Sequence, residues 1–138
     1  MQEFSFQHLI NADSKKVFDA IADFSNYKFF LPGCLESSLL ELRGNTMRGS
    51  LTFNILSKNY SITSENIVFE NMIKIKQIDG PLKQFDATWT VQEIDQGLTS
   101  ITLEAKISVP LLLKPIINQT TLEFFAARFK VAFEDYLI

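Results

Sequence analysis

The chain predicts an α+β domain in which a curved antiparallel sheet of about seven strands wraps a long C-terminal helix. Between Phe4 and Val109, segment after segment places apolar residues at every second position, the period of a strand with one buried face. From Ile116 onward the spacing lengthens to three and four, so that Leu122, Phe125, Phe129, Phe133 and Tyr136 share one face of a helix. The 138 residues make one ordinary domain, and an apolar content of 46% suffices for one core, so a single domain spans residues 1–138.

The elements follow in order. Phe4, Phe6, His8 and Ile10 alternate as a first strand, and Asp13 or Ser14 starts a helix bearing Val17, Phe18, Ile21 and Ala22. A short second helix runs from about Phe24 to Phe30 and ends at Pro32. Leu35–Leu42 reads as a strand, Arg43-Gly44-Asn45 as a hairpin turn, and Met47, Gly49, Leu51, Phe53 and Ile55 as one face of the next strand. In Tyr60–Phe69 the phase changes, from Tyr60 and Ile62 to Ile67 and Phe69, which predicts a bulge. Met72–Ile78 is the next strand, and Asp79-Gly80-Pro81 reverses the chain. Phe85, Ala87, Trp89 and Val91 then point to one side, with Gln84, Asp86, Thr88 and Thr90 on the other. After a turn at Asp95-Gln96-Gly97, the strand Ile101, Leu103, Ala105, Ile107, Val109 carries Thr102, Glu104, Lys106 and Ser108 on its polar side. Pro110 to Pro115 breaks the pattern, and in the final helix Ala126 and Ala132 permit close approach of a partner.

Catalysis has little to build on. His8 is the only histidine and shares a strand face with phenylalanines, where a histidine bonded to a neighbour is the simpler reading than a general base. Cys34 is the only cysteine; it reads as a small buried hydrophobe, cannot form an internal disulfide and fits a reducing compartment. Two such residues do not make a zinc site, and no phosphate-cradling glycine loop is present. Most of the sixteen Asp and Glu lie on polar strand or helix phases, while Asp79 suits an Asx-type cap of its turn. The expectation is a protein that is not an enzyme and needs no metal or cofactor.

The longest apolar run, around Val109–Leu113, is far shorter than the roughly 20 residues of a membrane span, and the first residues lack a basic leader region. The expected location is therefore the cytoplasm. With 13 Lys and Arg against 16 Asp and Glu, the chain offers no broad basic surface for DNA or RNA.

Binding asks for less. Thirteen phenylalanines suggest bulky packing around a cavity or an exposed apolar surface. An apolar sheet face opposite an aromatic helix encloses a cleft when the two are held apart at one end, with Phe29–Cys34 and Pro110–Pro115 as natural lids. The candidate walls are Phe30, Leu31, Pro32, Phe53, Ile55, Phe85, Trp89, Leu103, Ile107, Phe125, Phe129 and Phe133. A flat or prenylated hydrophobic ligand suits such walls.

Two motifs sharpen this. Asp79-Gly80-Pro81-Leu82-Lys83-Gln84-Phe85-Asp86-Ala87-Thr88-Trp89 closely resembles the DGPF-K-x-L-x-x-x-W signature of a small START-like family containing bacterial RatA toxins and mitochondrial coenzyme-Q-binding proteins. Tyr27-Lys28-Phe29-Phe30-Leu31-Pro32-Gly33-Cys34 is similar to its Y-P-x-F-L-P-[GW]-C segment, and Gly33 matches the RatA-type form. The resemblance implies the helix-grip (START/Bet v 1-like) fold of the SRPBCC superfamily, which also holds polyketide cyclase/dehydrase-type proteins. It marks Pro32, Cys34, Asp79, Gly80, Pro81, Lys83 and Trp89 as motif positions, with Trp89 and Phe85 as wall residues and Lys83 as a rim charge. It further implies ubiquinone or another isoprenoid lipid as ligand, a carrier or chaperone role in respiration, and peripheral contact with the inner membrane. The large ribosomal subunit is the competing partner, by likeness to RatA, and a polyketide cyclase or aromatase stands third. Two departures are visible: Lys28 replaces the proline after Tyr27, and Asn59-Tyr60-Ser61-Ile62 follows Ser57-Lys58 without the family's arginine.

Overall fold

The computed structural model describes every residue from Met1 to Ile138. Strand β1 (Gln2–Ile10) turns Phe4, Phe6, His8 and Ile10 inward and leads into helix α1 (Ser14–Ala22), which buries Val17, Ala20 and Ile21. Asp13 occupies the N-cap position of α1 without a side-chain hydrogen bond. The expected second helix is two pieces, a 3₁₀ turn at Phe24–Asn26 and the single-turn helix α2 (Tyr27–Phe30). Asp23 accepts from the Ser25 amide at the start of the first piece.

Six further strands follow without interruption by helix: β2 (Cys34–Arg43), β3 (Thr46–Ile55), β4 (Lys58–Val68), β5 (Met72–Asp79), β6 (Gln84–Asp95) and β7 (Leu98–Ser108). All pair antiparallel in the order β1-β7-β6-β5-β4-β3-β2, so β1 and β2 are the edges. Edge β2 is bulged at Leu35 and Leu40, where the register with β3 shifts; such bulges deter pairing with a foreign strand. The β3–β4 connection is only Leu56-Ser57, both left-handed at φ +51° and +67°, a conformation non-glycine residues adopt at a cost.

The phase change expected as a bulge in β4 has a different cause. β4 pairs with β3 in unbroken register, and the one shift with β5 leaves the extra residue, Ile78, on β5. The inner face of β4 continues from Tyr60 and Ile62 to Ser64 and Asn66, while Ile67 points outward. Hydrophobic phase misled here because buried polar residues occupy the inward positions.

Helix α3 (Gln119–Leu137) starts from a capping box, with the Asn118 side chain accepting from the Thr121 amide and the Thr121 hydroxyl accepting from the Asn118 amide. It lays Ala126, Phe129, Phe133 and Leu137 against the inner sheet face, which contributes Phe4, Ile73, Ala87, Trp89, Ile101, Leu103, Ala105 and Ile107. Ala126 lets the backbone come within reach of His8 on β1. The fold is the α+β arrangement of seven strands and a long final helix that the alternation predicts, in the helix-grip form that the family resemblance implies.

Candidate functional site

The interior is an aromatic stack. Phe129 lies 5.4 Å from Phe6, 5.3 Å from Trp89 and 5.1 Å from Phe133, and Phe30 meets Phe133 edge-on at 4.9 Å. Of the predicted wall residues, Phe30, Trp89, Leu103, Ile107, Phe129 and Phe133 are buried in this one core, and Phe53, Phe85 and Leu31 pack partly buried against it. Phe125 is half-buried on α3, and Pro32 is half-buried at the end of α2. The buried members form one packed core rather than the walls of an open cleft.

Open apolar space lies at one end of the sheet. A hollow of about 40 Å³ is lined by Phe53 and Ile55 of β3, Tyr60 and Ile62 of β4, Pro81 and Leu82 of the turn, and Leu113, Ile116 and Ile117. The last three come from the proline-interrupted segment before α3, which contains a 3₁₀ turn at Leu111–Leu113. Phe53 and Ile55 were named from the sequence as walls, Pro81 as a motif position and Leu113 within the Pro110–Pro115 lid; Tyr60, Ile62, Leu82, Ile116 and Ile117 were missed as lining residues. Their signal was available in the apolar run after Pro110, but which strand ends it covers is a long-range fact.

The rim is apolar and solvent-facing. Leu56, next to Ile55, is 80% exposed, and Leu111 and Leu112, beside Leu113, are 77% and 89% exposed. Lys58 and Lys114 adjoin these leucines in the chain, and Lys83 borders a shallow depression with Lys114 and Ile117. The broader groove of about 700 Å³ lies on the outer sheet face and interleaves Glu65, Asp86 and Glu104 with Lys74, Lys76 and Lys106. Such mixed charge is an ordinary solvated face.

The motif around Asp79 is a clamped turn. Gln77 donates its amide to the Leu82 carbonyl at 2.7 Å and accepts from the Leu82 N–H at 3.3 Å. At Gly80 a Cβ would come within 2.5 Å of the Gln77 Oε1, so glycine is required for the clamp's close approach. Asp79 is exposed and its carboxylate makes no hydrogen bond to the turn, so the expected Asx-type cap is replaced by the Gln77 clamp, and Lys83 is exposed beyond it.

Burial acts on two titratable groups of the interior, Cys34 and Tyr27, and both are held protonated. His8 Nε2 lies 3.0 Å from the Ala126 carbonyl on α3 and joins sheet to helix. Burial pushes the Cys34 thiol up to about 11. Burial likewise raises the Tyr27 phenol well above its usual value, outweighing nearby Trp89 and Asn66, which favour the phenolate; its hydroxyl donates to the Ile21 carbonyl at 2.7 Å. No three His, Cys, Asp or Glu side chains converge as metal ligands would. No helix is long and apolar enough to cross a membrane.

One buried polar atom stands apart. Ser64 donates to Asn66 Oδ1 at 3.1 Å, yet Asn66 Nδ2 has no hydrogen-bond partner although the residue is 0% exposed. A donor left so costs about 1–3 kcal/mol.

A curved sheet gripping one long helix, with an apolar hollow where the sheet, the Asp79–Leu82 turn and the Leu111–Ile117 segment meet, defines a START-like helix-grip architecture. Residues 10–128 match the family model described as polyketide cyclase / dehydrase and lipid transport, and the chain belongs to that family. It is 24% identical over 127 residues to a ribosome association toxin, RatA, of Vibrio cholerae, covering 88% of each chain. Its fold is similar to that of the ZhuI aromatase/cyclase of a Streptomyces species, with a TM-score of 0.86, 14% identity and coverage of 99% and 93%. It is also similar to a STAR-related lipid transfer protein of Xanthomonas axonopodis, with a TM-score of 0.78, 16% identity and coverage of 98% and 85%. Identities this low establish the fold alone.

Proposed function

We propose that the protein is a non-enzymatic carrier that binds a hydrophobic ligand beneath the Leu111–Ile117 segment. The observation that carries this reading is the apolar hollow whose rim leucines, Leu56, Leu111 and Leu112, face solvent. A drug-sized ligand needs roughly 300 Å³ or more, so the hollow of about 40 Å³ is the closed state of a site that widens when the lid lifts from Phe53, Ile55 and Leu82. Phe85, Trp89, Leu103, Ile107, Phe125, Phe129 and Phe133 are then the deeper walls, and Phe30, Leu31 and Pro32 lead into Gly33, whose carbonyl accepts from the Asn54 amide between Phe53 and Ile55. Lys83 supplies a rim charge.

The ligand proposed is ubiquinone or a related isoprenoid lipid, carried in support of respiration. Exposed leucines flanked by Lys58 and Lys114 suit exchange with an anionic membrane surface, so the location proposed is the cytoplasm with peripheral contact at the inner membrane. An interior whose Tyr27 and Cys34 are held protonated and whose His8 is engaged by Ala126 supports binding over cyclase chemistry, which needs a free acid and base.

A RatA-type association with the large ribosomal subunit is the second reading, supported by the likeness to the Vibrio cholerae toxin along most of the chain. Native mass spectrometry with lipid extraction, on protein purified from a quinone-producing bacterium, separates the two. Co-purified quinone that is lost in Leu113→Asp, with circular dichroism unchanged, supports the carrier. A protein that emerges empty and sediments with large ribosomal subunits in a salt-sensitive way sinks it in favour of the toxin reading.

A further inference from the structure

The face of α3 turned away from the sheet carries a second, narrower apolar stripe. Phe129 and Phe133 point into the core. On the opposite side of the helix Phe124, Val131 and Ile138 recur at seven-residue spacing, the repeat that keeps one line of a helix facing a neighbouring helix. Phe124 and Val131 are 64% and 61% exposed, and Ile138 is fully exposed. Ala127, exposed between the first two, is small enough to let another helix approach.

Two charges flank this stripe on one side. At 3.6 residues per turn, Arg128 and Asp135 both sit roughly 40–60° to the same side of Val131, two turns apart from each other. Neither has an opposite charge three or four positions away, and neither forms an ion pair within the chain. Arg128 only lays its guanidinium over the Phe124 ring, 5.7 Å from the centroid. On the other flank Lys130 is already bound to Glu134 at 2.8 Å.

We propose that α3 pairs with the α3 of a second copy of this chain, antiparallel, about a two-fold axis at Val131. Under that symmetry Val131 meets the partner's Val131, and Phe124 meets the partner's Ile138. The two-fold keeps the same flank of both helices together. Arg128, three residues before the axis, therefore meets the partner's Asp135, four residues beyond it, and the pair is made twice. A parallel pairing would offer Asp135 only the partner's Lys130, already held by Glu134, and would turn the two Glu134 carboxylates toward each other. The dimer goes beyond the carrier reading and stands without it, since the hollow is lined as far as Ile117 and the seam starts at Phe124.

The seam is about 21 Å long, so the dimer is weak and the full-length protein is measured by sedimentation equilibrium from about 10 μM to about 1 mM. Expected is a monomer–dimer equilibrium that Val131→Asp abolishes with circular dichroism unchanged. Arg128→Asp weakens it on the order of tenfold, and Arg128→Asp combined with Asp135→Arg restores it. Mild oxidation cross-links copies of Val131→Cys but not of Phe124→Cys, whose positions lie about 21 Å apart along the antiparallel seam; Cys34 is buried and does not compete. The cross-linking result decides alone if Val131→Asp does not fold. A wild type that stays monomeric throughout, or a dimer indifferent to folded Val131→Asp, overturns the proposal. Phe124→Cys cross-linking as readily as Val131→Cys overturns the antiparallel pairing.

Discussion

Gln77 grips Leu82 from both sides, donating to its carbonyl at 2.7 Å and accepting from its amide at 3.3 Å, and so closes the Asp79-Gly80-Pro81 turn onto strand β5. Leu82 in turn lines the apolar hollow. Replacing Gln77 by Ala removes two hydrogen bonds and leaves the Leu82 amide seeking water, so stability should fall by about 1–3 kcal/mol. Urea unfolding measures the loss, and hydrogen exchange at Leu82 should quicken. An unchanged midpoint with Leu82 still protected would show that the turn holds itself.

Gly49 on β3 lies directly under the ring of Phe24. A Cβ there would come within 2.3 Å of the ring's Cε1, and Phe24 is almost fully buried. Gly49→Ala therefore forces the 3₁₀ turn off the sheet and should cost about 1–3 kcal/mol or more, as overpacked cores do. The double variant Gly49→Ala with Phe24→Leu should recover part of the loss in thermal unfolding. If the single variant melts like the wild type, the contact is not as tight as described.

The strands and the final helix were legible because their burial is one-sided: Ile101, Leu103, Ala105 and Ile107 alternate inward, and Phe129 and Phe133 repeat at helical spacing. His8 was legible for the same reason, sharing its face with Phe4 and Phe6. The hollow was less so. Pro81, Leu113 and Ile117 meet Phe53 and Tyr60 only through the sheet's curvature, which no local spacing records. Asn66 and Ser64 were illegible because a polar residue facing a core looks, in sequence, like a strand that has changed phase. Gln77 was hidden likewise, since its function is one bond pair to a residue across a turn.

Cys34 gives a pH signature. Burial raises its thiol from an ordinary value near 9 to about 11, so the folded protein holds that proton more tightly than the unfolded chain does. The resulting stability is complete below about pH 9 and is lost as pH rises toward and through 11. Tyr27, raised further for the same reason, extends the alkaline loss. Thermal midpoints should therefore decline above pH 9, less steeply in Cys34→Ala, and the native thiol should react sluggishly with disulfide reagents at pH 8. Rapid labelling at pH 8 in the folded state would contradict the burial.

Trp89 bears on both the fold and the carrier reading, and its substitution has to be chosen with that in mind. It is nearly fully buried on β6, 6.0 Å from Phe6 and 5.3 Å from Phe129, so truncation removes a central plank between sheet and α3. Trp89→Ala should cost about 3–5 kcal/mol and leave an apolar cavity. Loss of ligand in that variant would then report a weakened fold as much as a missing wall. Indole, which resembles the deleted ring, should raise the variant's melting temperature and leave the wild type unmoved, as expected for a dry cavity lined by apolar groups. Trp89→Phe, which keeps an aromatic ring between Phe6 and Phe129, should cost less and preserve the near-ultraviolet signature of the remaining aromatics. A Trp89→Ala loss below about 1 kcal/mol, or no response to indole, would mean that the ring is not packed as described.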